Sequence, residues 1–399
     1  LTEYQYDTAG RLIHKIGYST RTNSSLRSTG TLTQLRPLAD NNNDQHNWTF
    51  YDGRGNVVGS VDSEGYLTRN SYDANDNRIN SIGYAKKALI APSAITSTTT
   101  LTALQPVTHS QDHSTIWTYS DLNQVKTVTN NEGSVTQYTY DSVGNLIQTD
   151  TALSTSDART LARRFDLRGH VMAELTGVGY AALQALVNPS TAQIEAIWTK
   201  YATKFSYDNL GQRTSSTDAK GNKTFYYYTQ DGQLAASINP LGEVSQNLYN
   251  SANQLVSNLQ YANRIAPVTL STLTGGIVTS AITAAIAAIA DATKDSKTDL
   301  VYDARGLVTN KTDALGRKID TAWTVFGQQD TIVRSQNGSA KLFIEQLTYD
   351  RRGQRTAATL NPGALNIITR SVYDAFGRET QRFDGNNNLS ITQYDRLGR

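Results

Sequence analysis

His109 and His113 stand four residues apart with Asp112 between them. On one face of a helix that spacing lets two imidazoles share a metal ion. The surrounding Thr108–His113 stretch reads as a loop, and no Glu follows where a metalloprotease keeps its general base. His14, His46 and His170 are isolated in sequence and are expected at the surface or in turns. Two oxygen-rich runs, 40–44 and 384–388, suggest calcium, but neither is closed by the Glu that an EF-hand loop needs. The chain has no cysteine, which excludes disulfides, thiolate nucleophiles and Cys-bound zinc. It carries no Gly-Lys-Ser/Thr phosphate loop and no Gly-x-Ser-x-Gly elbow. No catalytic residue, metal or cofactor is assigned, and the chain does not read as an enzyme.

Charge narrows the partners. Thirty-seven Lys and Arg face 35 Asp and Glu, for a formal +2. Arg163-Arg164 and Arg351-Arg352 are local basic spots in a neutral chain, so nucleic acid is not an expected partner. Tyr is used 22 times against 8 Phe, and the reason lies in a repeat.

An aromatic, usually followed by Asp, then two variable residues and Gly, recurs along the chain. Clear copies are Tyr6-Asp7 with Gly10, Tyr51-Asp52 with Gly55, Tyr140-Asp141 with Gly144, and Phe165-Asp166 with Gly169. Tyr207-Asp208 with Gly211, Tyr302-Asp303 with Gly306, and Tyr349-Asp350 with Gly353 follow. Tyr373-Asp374 with Gly377 and Tyr394-Asp395 with Gly398 complete the set. Degenerate copies at Tyr72, Tyr119, Tyr228, Tyr249 and Trp323 bring the number to fourteen. Three of these place Asp76, Asn123 or Asn253 where others have Gly, and those are the residue types that tolerate positive φ. The interval between leading aromatics is 21 residues in six cases. A second turn sits inside each period, for example at Gly65, Gly133, Gly221, Gly242 and Gly316. Each period therefore holds two short strands and two turns that Asp opens and Gly closes.

Segments such as 56–61 and 224–228 alternate as strands with one apolar face. A lone hairpin buries too little surface to be stable, so the copies must stack into a continuous sheet. The aromatic at each turn would then recur as a ladder of stacked rings. The expected fold is all-β: one repetitive antiparallel array over 1–399, with insertions at 17–47, 85–115, 178–200 and 265–297. The last two have helical character. In 178–200, Tyr180–Leu186 and Thr191–Trp198 form two helical pieces split by Asn188-Pro189. In 265–297, Ile282, Ile286 and Ile289 make a helical face. Residues 265–290 carry no charge and reach spanning length, yet Pro267, Gly275-Gly276 and seven Thr or Ser favour a packed helix over a transmembrane one.

The pattern resembles the YD or Rhs repeat, with the fullest matches at Tyr302–Thr321 and Tyr207–Thr224. Members of that family include Rhs polymorphic toxins, the cocoon component of insecticidal toxin complexes, wall-associated proteins and teneurins. The resemblance implies a sheet spiralling into a shell, or an open ribbon, that can enclose a toxic C-terminal domain. It also implies a secreted or cell-surface bacterial protein. Family toxins end their repeats in a core with Asp-Pro motifs, and this chain has no Asp-Pro dipeptide. The chain starts without Met and stops inside a copy, which suggests a piece of a longer protein whose partner is the rest of the same polypeptide. A structural scaffold is the leading reading. The alternative is an adhesion module whose insertions contact a protein or a glycan, with Trp48 and Trp117 at insertion ends as candidate stacking rings.

Overall fold

The computed structural model describes residues 1–26, 29–336 and 342–394; Asp395 and Gly398 of the last copy lie outside them. The chain forms two compact units. The first comprises Leu1–Val135, Thr321–Val333 and Phe343–Arg399, the second Thr136–Asp320 and Arg334–Leu342.

Within each unit the strands are short and pair antiparallel with their neighbours in sequence. In the first unit Gln45–Tyr51 pairs with Val57–Val61, then Tyr66–Tyr72, then Arg78–Lys87. In the second, Thr203–Tyr207 pairs with Arg213–Thr217, Lys223–Tyr228, Leu234–Ile238 and Val244–Tyr249 in turn. The ladder shifts register immediately before the leading aromatic, as between Phe50 and Tyr51 or Ser206 and Tyr207. That is the bulge expected when a type I turn ends in a left-handed residue. Among the described residues one pairing is parallel: Gly276-Ile277 lies beside Tyr227-Tyr228.

The insertions do not interrupt the ladder. Leu12–Gly17 pairs with Gln45–Tyr51, and Arg78–Lys87 with His113–Tyr119. Val171–Leu175 pairs with Thr203–Tyr207, and Leu255–Gln260 with Ser296–Tyr302. Each insertion therefore leaves and rejoins the sheet between adjacent strands, always in place of the second turn and never at a Tyr-Asp turn.

The insertions supply what a single sheet lacks, a covering layer. In the second unit Ile265, Ile282, Ile286 and Ile289 pack on Phe225, Tyr227, Ile238 and Val244. Trp198 and Ala202 pack on Ala162 and Leu175. In the first unit Ile95 and Leu104 cover Trp48, Val61, Leu67 and Tyr84. The helical stretches lie where they are expected, but with different bounds. The first two pieces are Gly177–Gln184 and Thr191–Tyr201, the second capped by Ser190. The Ile-bearing helix is only Ser280–Ala287, because the Thr279 side chain caps it by accepting from the Ile282 amide. Ile289 is buried beyond its end. Insertions 17–47 and 85–115 also hold single helical turns at Leu32–Leu35 and Leu101–Leu104. The strand Arg78–Lys87 runs into the latter insertion. No helix among the described residues is long and apolar enough to cross a membrane.

Candidate functional site

The residues that recur in sequence build one small machine many times over. At Asp52 the amide donates to the Asn56 carbonyl at 3.0 Å, and the Gly55 amide returns to the Asp52 carbonyl at 3.2 Å. One carboxylate oxygen accepts the amides of Arg54 and Asn56, at 2.9 and 2.8 Å. The same two amides, at the second and fourth residues after Asp, are bound at Asp7, Asp141, Asp208, Asp303, Asp350 and Asp374. Gly10, Gly55, Gly144, Gly211, Gly306, Gly353 and Gly377 take φ between 78° and 97°. Asp76, Asn123 and Asn253 take 64°, 59° and 61° at the same place in degenerate copies. Ser120, Asn250 and Thr324 stand in for the aspartate, accepting the same two amides through a hydroxyl or amide oxygen, and Thr229 accepts the Gln233 amide.

The second carboxylate oxygen explains the residue after the glycine. Asp7 binds the Arg11 Nε at 2.8 Å, Asp141 the Asn145 amide at 2.8 Å and Asp374 the Arg378 Nε at 2.7 Å. These bonds favour the ionised carboxylate. The Arg11 amide holds Asp7 below the usual aspartate range, and the Asn145 side chain does the same for Asp141. The run 384–388 is this turn again: Asp384 receives the amides of Asn386 and Asn388 and the Asn388 side chain. Its oxygens serve the backbone. In the run 40–44, Asn41, Asn42 and Asn43 are exposed, while Asp44 is fully buried and accepts the Ser19 and Asp40 amides, both at 2.8 Å.

The leading tyrosines join successive turns. Nine of the hydroxyls donate to the backbone carbonyl six residues after the preceding leading aromatic. Tyr51 reaches Leu12, Tyr72 reaches Val57 and Tyr119 reaches Arg78, at 3.1, 2.8 and 2.8 Å. Tyr207, Tyr228, Tyr249 and Tyr302 reach Val171, Arg213, Leu234 and Leu255. Tyr373 and Tyr394 reach Arg355 and Glu379. The expected ladder of stacked rings is thus a ladder of hydroxyl-to-carbonyl bonds. Equivalent rings are two strands apart, roughly 10 Å, which is beyond stacking distance but within reach of a leaning phenol. It is the hydroxyl, rather than the ring alone, that makes Tyr the residue of choice over Phe.

Inside the first unit two stretches far apart in sequence meet. The Arg351 amide donates to the Glu64 carboxylate at 3.1 Å, and Lys87 lies 3.3 Å from the same group. Arg352 sits 3.9 Å from Asp62, covers the Tyr66 ring, and donates to the carbonyls of Asp374 and Ala375. Phe376 stacks on His113 with 3.6 Å between ring centroids. Gly17 and Gly83 leave room for Phe326 and Phe376, whose ring atoms would lie 3.2 and 3.4 Å from a Cβ there. A cavity of about 620 Å³ opens beside this seam, lined by Asn43, Gln45, Glu64, Phe326, Tyr349 and Arg351 among others. Burial pushes the Asp62 carboxyl up. Burial pulls Glu64 the same way, but the Arg351 amide and the charges of Arg351 and Lys87 outweigh it and leave its pKa lowered.

Other expectations need correction. Trp48 is buried and donates its indole N–H to the Pro92 carbonyl at 2.8 Å. The Arg78 guanidinium covers Trp117. Trp48 is closed to a sugar, and Trp117 is half-buried with a cation over one face. His14 is buried against Trp48 rather than exposed, and His46 binds it. His170 is a turn residue, bonded to Asp166 at 2.9 Å. Among the described residues no group of three or more His, Asp or Glu is arranged to hold a metal ion.

The comparisons with known proteins agree with this geometry. Residues 119–160 match the RHS repeat. That segment contains the Tyr119 and Tyr140 turns. No curated protein matches the chain. Among solved structures, TcdB2-TccC3-Cdc42 is similar over 100% of this chain and 21% of its own, at 16% identity and a TM-score of 0.52. The Photorhabdus luminescens Tc holotoxin pore carrying TccC3-D651A aligns over 98% of this chain and 22% of its own, at 14% identity and a TM-score of 0.45. The chain thus spans about a fifth of the length of the structures it resembles. At this identity, the likeness to TcdB2-TccC3-Cdc42 is one of fold.

Proposed function

We propose that the chain is a structural segment of a larger toxin-like assembly, a stretch of β-wall rather than a catalytic domain. The observation that carries this reading is the seam of the first unit, where Glu64 meets Arg351 across 287 residues. A repetitive sheet returns to itself there through residues that sit on its turns. Walls need such lateral contacts; an adhesive ribbon presenting its insertions does not. The insertions are used as covering layers, Trp48 is buried beneath one of them, and Arg78 lies over the Trp117 ring. The structural likeness to TcdB2-TccC3-Cdc42 supports the same reading at the level of fold.

On this proposal the partner is the remainder of the same polypeptide, the wall can enclose a toxic C-terminal domain, and the protein works outside the bacterial cell. Electron cryo-microscopy of the full natural polypeptide is the test. The expected result is that these repeats form part of a wall around a lumen. A free ribbon, or a compact domain with the repeats folded around a catalytic cleft, would overturn it.

A further inference from the structure

Three strands of the first unit are connected by a chain of side chains that the repeat does not require. Glu3 lies on Thr2–Tyr6, His14 on Leu12–Gly17 and His46 on Gln45–Tyr51. Glu3 accepts from the Gln5 amide at 3.3 Å, which turns the Gln5 carbonyl oxygen toward His14. That oxygen lies 3.1 Å from His14 Nδ1, so Nδ1 carries the proton and donates. His14 Nε2 is then a bare acceptor, and it lies 3.1 Å from His46 Nδ1, which must donate. The remaining nitrogen, His46 Nε2, is buried and has no hydrogen-bond partner. The direction of every bond is fixed, and both imidazoles are neutral.

We propose that the His14–His46 pair is an acid-sensitive latch: protonation of either ring leaves a buried charge or an unpartnered N–H between the strands Leu12–Gly17 and Gln45–Tyr51, and so loosens them together with the insertion between them. A proton on His14 Nε2 would face the N–H of His46, so the bond survives only if His46 moves its own proton to Nε2. A proton on His46 Nε2 would sit in a buried position with nothing to receive it.

The surrounding charges do not rescue the cation. Glu3 is the nearest carboxylate to His14, but Arg36 holds it bidentately at 2.7 and 2.8 Å and the Tyr18 hydroxyl donates to it at 2.8 Å. Asp44 favours a charged His46, while Arg351, reaching in from the seam, opposes it. Burial leads the effects on both rings and lowers both pKa values, with His14 at about 4, reinforced by His46 and opposed by Glu3. Trp48 lies flat against His14, with centroids 3.6 Å apart, and leaves little room for water on that face.

The sign follows from linkage. The unfolded chain binds the proton near pH 6.5 and the folded chain only near 4, so stability is complete above 6.5 and falls as the pH drops through that window. The folding constant should fall by up to about 300-fold across it, since 6.5 minus about 4 is roughly 2.5 decades. The turn carboxylates with lowered pKa, such as Asp7 and Asp141, titrate below this window. Asp62, whose pKa is raised, acts in the opposite direction.

The test is urea unfolding of the chain at pH 7 and pH 4.5, with hydrogen–deuterium exchange at the imidazole C2 positions read by mass spectrometry. The expected results are a marked loss of stability at pH 4.5 and a His14 titration well below 6. The variant His14→Phe keeps a flat ring on Trp48 and removes the titrating group. It should be less stable at pH 7 but lose most of the pH dependence. A His14 that titrates near 6.5, or a pH dependence unchanged in His14→Phe, would overturn the latch. If His14→Phe fails to fold, the titration of the native histidines decides alone. None of these outcomes depends on whether the chain is a wall segment.

Discussion

A glycine at the end of a turn can be required for two separable reasons, and this chain offers both. Gly133 has φ of 79° and nothing within 4 Å of where a Cβ would sit. Gly242 has φ of 81°, but a Cβ there would lie 2.4 Å from the Ile265 carbonyl oxygen. Gly133→Ala should therefore cost only the left-handed backbone, about 1–2 kcal/mol. Gly242→Ala should cost clearly more, because the backbone of the covering segment 265–267 must also move. Urea unfolding of the two variants measures the difference, and equal losses would show that contact with Ile265 is unimportant. The aspartates and glycines of the turns were legible from sequence because their partners lie within four residues. The tyrosine's role was half legible. Its recurrence marked a structural position, but the bond to the preceding turn spans 15 to 47 residues and appears only when the strands are laid side by side.

The insertions are elements that the sheet needs, and their sequence says so unevenly. Ile282, Ile286 and Ile289, spaced by four and three, announced a buried face, and all three are covered. The helix itself ends sooner than its alanine-rich sequence suggests. Thr279 fixes its start, and Gly275 and Gly276, both at positive φ, turn the preceding chain into pairing with the sheet. Ile286→Asp would bury an unpaired carboxylate among Phe225, Tyr227 and Ile238. Its expected cost is about 3–5 kcal/mol, close to the largest seen for single substitutions. A thermal melt should register this as a large fall in Tm. An unchanged Tm would mean that the helix does not cover the sheet in solution. The histidines fared worst in the sequence reading. His14, His46 and Trp48 look unrelated along the chain because strand pairing across an insertion brings them together.

At the scale of the whole molecule, the repeat predicts a sheet but not where that sheet meets itself. Asn43 and Val325 line the same cavity in the first unit, though about twenty strands separate them along the chain. The seam was invisible in sequence because Phe326, Arg351, Arg352 and Phe376 occupy variable turn positions, where any residue satisfies the local geometry. Their glycine counterparts, Gly17 and Gly83, carry no signature beyond a missing side chain. The absence of cysteine makes a direct measurement clean. Spin labels placed on Asn43→Cys and Val325→Cys should give a narrow pulsed-electron-resonance distance of roughly 15–30 Å, set by the cavity and the two label arms. An array that runs on without returning would separate the same positions by on the order of 100 Å, at ~4.8 Å per strand. A short, narrow distance is the result a self-contacting wall predicts, and a long or broad one would contradict it.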